Sequence, residues 1–147
     1  MVGGWLATGD LGYTVDGVLF VTGRRKEIII KGGHNILPSA VEDVASADPE
    51  VRTGCVAAVG MWASDRETEI VCLVCETKVK GERRAELLER LRERLRAHGI
   101  TVDRLLLVGP GVLPRTTSGK IRRSAVRTAL ARAEVDPEAA LLALGGA

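Results

Sequence analysis

Between positions 11 and 22 apolar and polar residues alternate about Asp16-Gly17, a pair suited to a tight turn, so the pattern predicts a short β-hairpin. The β-branched run Ile28-Ile29-Ile30, set between Glu27 and Lys31, predicts a strand that enters a flexible loop at Gly32-Gly33. Pro38 then precedes Ser39-Ala40-Val41-Glu42, which reads as a capping box. In that arrangement the Ser39 hydroxyl accepts the Glu42 amide proton, the Glu42 carboxylate reaches back to Ser39, and a helix runs on to about position 47. Two longer apolar runs, 51–60 and 69–77, predict the principal strands, joined by a polar loop at 64–68. From 83 to 97 the period changes to that of a helix. Leu87, Leu88, Leu91 and Leu95 form its apolar stripe, Glu86 stands four positions before Arg90, and Gly99 suits its C-terminal end.

A strand at 104–108, a loop rich in Gly, Pro, Thr and Ser at 109–120 and a last helix at about 122–133 complete the pattern. The Ala-rich remainder is expected to fray. Helices alternate with short strands, which predicts an α+β fold: a short hairpin and a central small β-sheet flanked by helices.

Composition changes this picture little. A chain of 147 residues suits one domain, and aromatics make up only 3%, so aliphatic side chains must build the core. The net charge of +2 implies no nucleic-acid or membrane partner. No apolar run approaches the roughly 20 residues that span a bilayer. The first residues carry no basic and apolar signal region, so a cytoplasmic protein with reduced thiols is expected. Cys72 and Cys75 have the Cys-x-x-Cys spacing but lie in a strand run, where an offset of three points them to opposite faces. With Cys55 they are expected to be small buried hydrophobes, and no metal site is expected.

Three polar loops carry candidate chemistry. In Trp5-Leu6-Ala7-Thr8-Gly9-Asp10, the Asp10 carboxylate can accept two hydrogen bonds from vicinal hydroxyls such as those of a ribose, or can cap its own turn. In Gly23-Arg24-Arg25-Lys26-Glu27 three cations follow a glycine; they can mark a solvated strand end or set a guanidinium against a nucleotide. The following Gly32-Gly33 permits close backbone approach, and His34 beside it has no evident carboxylate partner. In Leu113-Pro114-Arg115-Thr116-Thr117-Ser118-Gly119-Lys120 a hydroxyl-rich, flexible loop presents one long ammonium. It is not a Walker loop, because Pro114 stands where the first glycine is required and Ile121 where a Ser or Thr is required. A lysine so placed can stabilise charge where an anionic oxygen meets a phosphate.

Taken in order and spacing, these three segments resemble the C-terminal region of the adenylate-forming superfamily, which includes acyl-CoA synthetases, fatty-acyl-AMP ligases and peptide-synthetase adenylation domains. The resemblance runs from Trp5 to about Arg127 and implies a hinge-proximal hairpin segment at 1–22, a C-terminal lid domain at 23–135 and a frayed tail at 136–147. It implies that Asp10 holds the ribose hydroxyls of ATP and that Arg24 contacts the same nucleotide. Lys26 matches the hinge about which the lid rotates, although many relatives have Asp there. Lys120 matches the catalytic lysine that bridges carboxylate and α-phosphate. Gly32 and Gly33 match a loop that approaches the pantetheine thiol.

The reaction implied is activation of a carboxylate by Mg-ATP to acyl-AMP and pyrophosphate, then rotation and transfer of the acyl group to a phosphopantetheine thiol. Met61 to Glu69 departs from the acyl-CoA synthetase pattern, and residues 113–123 look more like fatty-acyl-AMP ligases, whose acceptor is an acyl carrier protein. Against that branch, those ligases often have Asn-His-Tyr-Pro where His34-Asn35-Ile36-Leu37-Pro38 stands here. The alternatives are the lid of a synthetase that uses free CoA and a non-catalytic docking module for a carrier protein. The superfamily's large N-terminal domain holds most of the ATP and Mg2+ site, so it is the expected partner, in cis or in trans, and the isolated lid is expected to be inactive. Arg122 and Arg123 do not complement the dipole of a helix that starts there; ordinary solvation is the first expectation for them and an acidic carrier protein the second, and without interleaved aromatics nucleic acid is not expected.

Overall fold

The computed structural model describes residues 6–132. Trp5, the last residue of the expected final helix and the tail at 136–147 lie outside the described residues.

The chain opens with a hairpin of β1 (Asp10–Val15) and β2 (Val18–Arg24). Asp16 and Gly17 occupy its turn with φ of 50° and 78°, the two left-handed positions that a tight hairpin needs. Gly12 sits at a register shift between the strands, where a Cβ would lie 2.5 Å from the Phe20 carbonyl oxygen; only glycine fits. Tyr13 and Phe20 stack across the pair, and both are more than two-fifths exposed.

A single 3₁₀ turn, Arg25–Glu27, leads to β3 (Ile29–Lys31). Gly32 and Gly33, with φ of 55° and 80°, are a two-residue turn into β4 (His34–Ile36), which pairs with β3. The expected flexible loop is therefore a second tight hairpin. A three-residue strand has too little pattern of its own to be read from sequence.

Helix α1 spans Pro38–Ser46, with proline in its first turn, where the missing N–H costs nothing. The expected capping box is absent. Leu37 is the N-cap and makes no side-chain cap. The Ser39 hydroxyl donates to the Thr22 carbonyl at 3.2 Å, and the Glu42 carboxylate faces β5 and α3. Long-range partners outcompeted the local bond.

The central sheet is β5 (Val51–Ala63), β6 (Thr68–Thr77) and β7 (Arg104–Val108), in the order β5-β6-β7. The β5–β6 pair is antiparallel and β6–β7 parallel, joined by α2 (Arg83–Ala97) as the crossover. Helices α1 and α2 cover one face. Helix α3 (Arg123–Arg132) and Val112-Leu113 cover the other. Covering both faces explains why the strands read as continuous apolar runs. Along β6, Val71, Leu73 and Cys75 point into the α1–α2 core, and Ile70, Cys72 and Val74 into the α3 core. The two cysteines thus face opposite ways, as their spacing predicts.

Helix α2 ends as expected. Gly99 has φ of 72°, the Ile100 N–H returns to the Leu95 carbonyl and the Gly99 N–H to Arg96, both at 2.9 Å, which is a Schellman closure. The expected Glu86–Arg90 pair is not what Arg90 makes. Arg90 instead reaches Asp48, at 2.7 Å from Nε, and Glu50, both outside α2. No helix among the described residues is long and apolar enough to cross a membrane.

Candidate functional site

A cleft of about 850 Å³ opens between the Arg25–Glu27 turn, α1, β5, the 116–122 loop and α3. Arg24 and Lys26 from one segment and Lys120 from another, 94 or more positions later, all line it. Its wall also carries Arg122, Arg123 and Arg127 against Glu27, Glu42 and Asp43.

The loop that presents Lys120 is closed on itself rather than flexible. The Thr116 N–H donates to the Lys120 carbonyl at 2.8 Å, and the Gly119 N–H to the Thr116 carbonyl at 2.9 Å. The Lys120 N–H donates to Thr116 Oγ1 at 3.1 Å, and Gly119 takes the left-handed φ of 81° that this tight turn requires. The Arg122 N–H, bonded to the Pro114 carbonyl at 2.8 Å, closes the base of the loop. From within it the Arg115 guanidinium donates to the Gly119 carbonyl at 2.7 Å, and reaches out to the Gly54 carbonyl and Cys55 Sγ on β5. Among the described residues the Lys120 ammonium itself has no hydrogen-bond or ion-pair partner. A rigid loop therefore ends in an unengaged cation.

The segment before this loop is fixed by a buried acid. Glu76 stands fully buried at the end of β6, and its carboxylate accepts the Leu113 N–H at 2.9 Å and the Arg52 guanidinium. Burial pushes its carboxyl up, but the Leu113 and Gly111 amides, Cys55 and Arg52 outweigh that and hold it below the ordinary range. Sequence reading missed this group because its partners lie tens of residues away.

Asp10 lies outside the cleft wall but pairs with Arg24, Oδ1 to Nε at 3.5 Å, both exposed. The turn before it is capped by the Thr8 hydroxyl, which accepts the Asp10 N–H at 3.2 Å, so the Asp10 carboxylate is not used on its own backbone. Arg123 is the other feature the sequence left open. Its guanidinium forks onto both oxygens of Glu42 at 2.7 and 2.6 Å and reaches Glu27 at 2.8 Å. The Glu42 carboxylate first, and Glu27 after it, raise the Arg123 pKa above its ordinary value against the opposing effect of burial. Arg123 is therefore not simply solvated: its anionic partners are supplied by the chain itself.

Gly32 and Gly33 lie elsewhere. With Ile30, Trp62, Arg66, Thr68 and Glu69 they line a second depression that has no lining residue in common with the cleft. The Gly32 N–H is pinned to Thr68 Oγ1 at 2.8 Å, and a Cβ at either glycine would meet nothing within 4 Å, so this edge is open. His34 is exposed on β4. No group of three His, Cys, Asp or Glu among the described residues is placed to hold a metal.

No family model matches the chain. A putative fatty-acid–CoA ligase of Mycobacterium leprae is 40% identical over 131 residues, which cover 84% of this chain and 22% of that protein. The long-chain-fatty-acid–AMP ligase FadD28 of Mycobacterium tuberculosis is 39% identical over the same shares. Among solved structures, fatty acyl-adenylate ligases from E. coli and L. pneumophila match at 36% identity with a TM-score of 0.73, over 90% of this chain and 23% of theirs. The McyG A-PCP structure, complexed with phenylalanyl-adenylate, matches at 26% identity and a TM-score of 0.78, over 90% and 24%. The chain therefore spans 22% of the length of the curated relatives it matches. At 40% identity to a fatty-acid–CoA ligase and 39% to a fatty-acid–AMP ligase, and with the fold of solved adenylate-forming enzymes, the chain belongs to the adenylate-forming superfamily and corresponds to its C-terminal region.

Proposed function

We propose that the chain is the catalytic lid of an acyl-adenylate-forming ligase and that Lys120 is its contribution to carboxylate activation. The observation that carries this reading is the unengaged Lys120 ammonium, held by a self-closed loop in the same cleft as Arg24 and Lys26. Such an ammonium can offset the negative charge that develops when a carboxylate oxygen displaces pyrophosphate from the α-phosphorus of ATP. The residues present fit a nucleotide: Arg24 is exposed and lines the cleft, and the exposed Asp10 carboxylate paired with it can accept ribose hydroxyls. Most of the Mg-ATP site belongs to the large N-terminal domain, and the lid alone does not turn over.

The second half-reaction uses the other depression. The open Gly32-Gly33 edge, where neither residue carries a side chain, suits the approach of a thin phosphopantetheine arm whose thiol displaces AMP. Lys120 and Gly32-Gly33 line separate depressions, and rotation of the lid about Lys26 presents each of them in turn. The acceptor is the phosphopantetheine of an acyl carrier protein; free CoA is the competing acceptor.

The test joins the chain to the large domain of the M. tuberculosis acyl-AMP ligase in place of that enzyme's own C-terminal part. Carboxylate-dependent pyrophosphate release should appear in the joined protein and be absent from the chain alone. Added acyl-AMP should then acylate holo carrier protein faster than CoA. Faster acylation of CoA would assign the lid to a CoA-using synthetase, and no pyrophosphate release from the joined, folded protein would reject the catalytic reading.

A further inference from the structure

The Arg25–Glu27 turn is held differently at its two ends. On the leading side the Arg25 N–H donates to the Gly9 carbonyl at 2.9 Å and Arg24 pairs with Asp10, so the chain up to Arg25 is tied to the first hairpin. On the trailing side the Glu27 carboxylate is taken by Arg123, whose guanidinium also forks onto Glu42. Glu42 in turn accepts the Ala58 N–H of β5 at 2.9 Å. One half-buried cation thus fastens the turn, α1 and α3 to the central sheet. Lys26, between the two ties, is exposed and has no side-chain partner among the described residues.

Arg123 also stands three positions after Lys120, at the first residue of α3, next to the Arg122–Pro114 bond that closes the lysine loop. A shift of Arg123 moves the edge of the turn and the base of that loop together. A planar fork on a carboxylate fixes direction as well as distance, which a lysine ammonium does not.

We infer that Arg123 is a positioning residue that locks Glu27 to the lid and holds Lys120 at a set distance from Lys26. This rests on the reading of Lys120 and Lys26 proposed above. With its donors taken by Glu27 and Glu42, Arg123 acts through Lys120 rather than on the reacting atoms.

Two measurements test it. The first is amide exchange on the chain alone. In Arg123→Gln the amides of residues 27–29 should exchange roughly tenfold faster while those of β6 stay protected. Unchanged exchange, or a uniform acceleration that includes β6, would overturn the lock. The second is single-turnover acyl-AMP formation in the protein joined to the large domain. Arg123→Gln should slow it roughly 10- to 100-fold at saturating ATP with the KM for ATP unchanged, as expected for a misplaced but still present lysine. Arg123→Lys should recover only part of the rate. Glu27→Gln, which leaves the Arg123–Glu42 fork in place, should give a smaller loss in the same direction. Lys120→Ala in the same assay separates the two ideas. If it is silent, the lysine assignment falls and this inference with it. If it abolishes the step while Arg123→Gln and Glu27→Gln match wild type, only the lock falls.

Discussion

Three acids, Asp48, Glu76 and Asp103, do most to fasten distant segments, and none could be singled out in the sequence. Asp48 is buried, and Arg90 holds its carboxyl below the ordinary range, against the opposing effect of burial. For Asp103 burial pushes upward, but Lys31 at 2.7 Å, the Val71 N–H and Arg66 override it. Glu76 is lowered likewise. Unfolded, such carboxyls titrate near ~4. Since all three are depressed in the folded chain, they stabilise it fully above that value, and the stabilisation is lost as pH falls through the folded values. The urea midpoint should therefore be steady from pH 7 to about 5 and fall below it, less steeply in Asp48→Asn; a midpoint flat to pH 3 would contradict the assignment. The cysteines show the opposite case, in which the sequence sufficed. Burial pushes the Cys72 thiol up to about 11 and the Cys75 thiol up to about 12, and raises Cys55 as well. All three should resist alkylation at pH 8 in the native chain and label rapidly in urea; fast native labelling would contradict the buried reading.

Among the elements, legibility followed how local the signal is. The bounds of α2 and β7 were readable because a leucine stripe with a terminal glycine, and a short apolar run, carry their own boundaries. Strand β4 was not, because His34–Ile36 becomes a strand only by pairing back on β3. The Ser39–Glu42 box failed for a related reason: its Ser hydroxyl found the Thr22 carbonyl, and its carboxylate found Ala58 and Arg123. Helix α2 also gives a graded test. Leu91 is fully buried against the sheet, so Leu91→Ala should cost about 2–5 kcal/mol. Gly99→Ala removes only the freedom of a left-handed residue and should cost about 1 kcal/mol. Equal losses in chemical denaturation would show that the Schellman closure contributes more than backbone conformation alone.

For the whole molecule, the sequence motifs gave no arrangement in space. Arg24, Lys26 and Lys120 line one cleft although 96 positions separate the first from the last of them, and the Arg123 ties to Glu27 and Glu42 hold their segments side by side. The resemblance assigned Gly32-Gly33 to a different step, and the fold sets that turn on a different depression. What could not be read was how the lysine loop is held, since Arg115, Glu76 and Arg123 reach partners on β5, α1 and the turn before β3. Lys120 is proposed to serve the first half-reaction and not the second. That role is tested most directly by comparing wild type and Lys120→Ala, each joined to the large domain, in two single-turnover assays: acyl-AMP formation from carboxylate and ATP, and acyl transfer from added acyl-AMP to holo carrier protein. Lys120→Ala should slow acyl-AMP formation ~100- to 1000-fold and leave transfer within about twofold of wild type. Equal rates of acyl-AMP formation in the two proteins would contradict it.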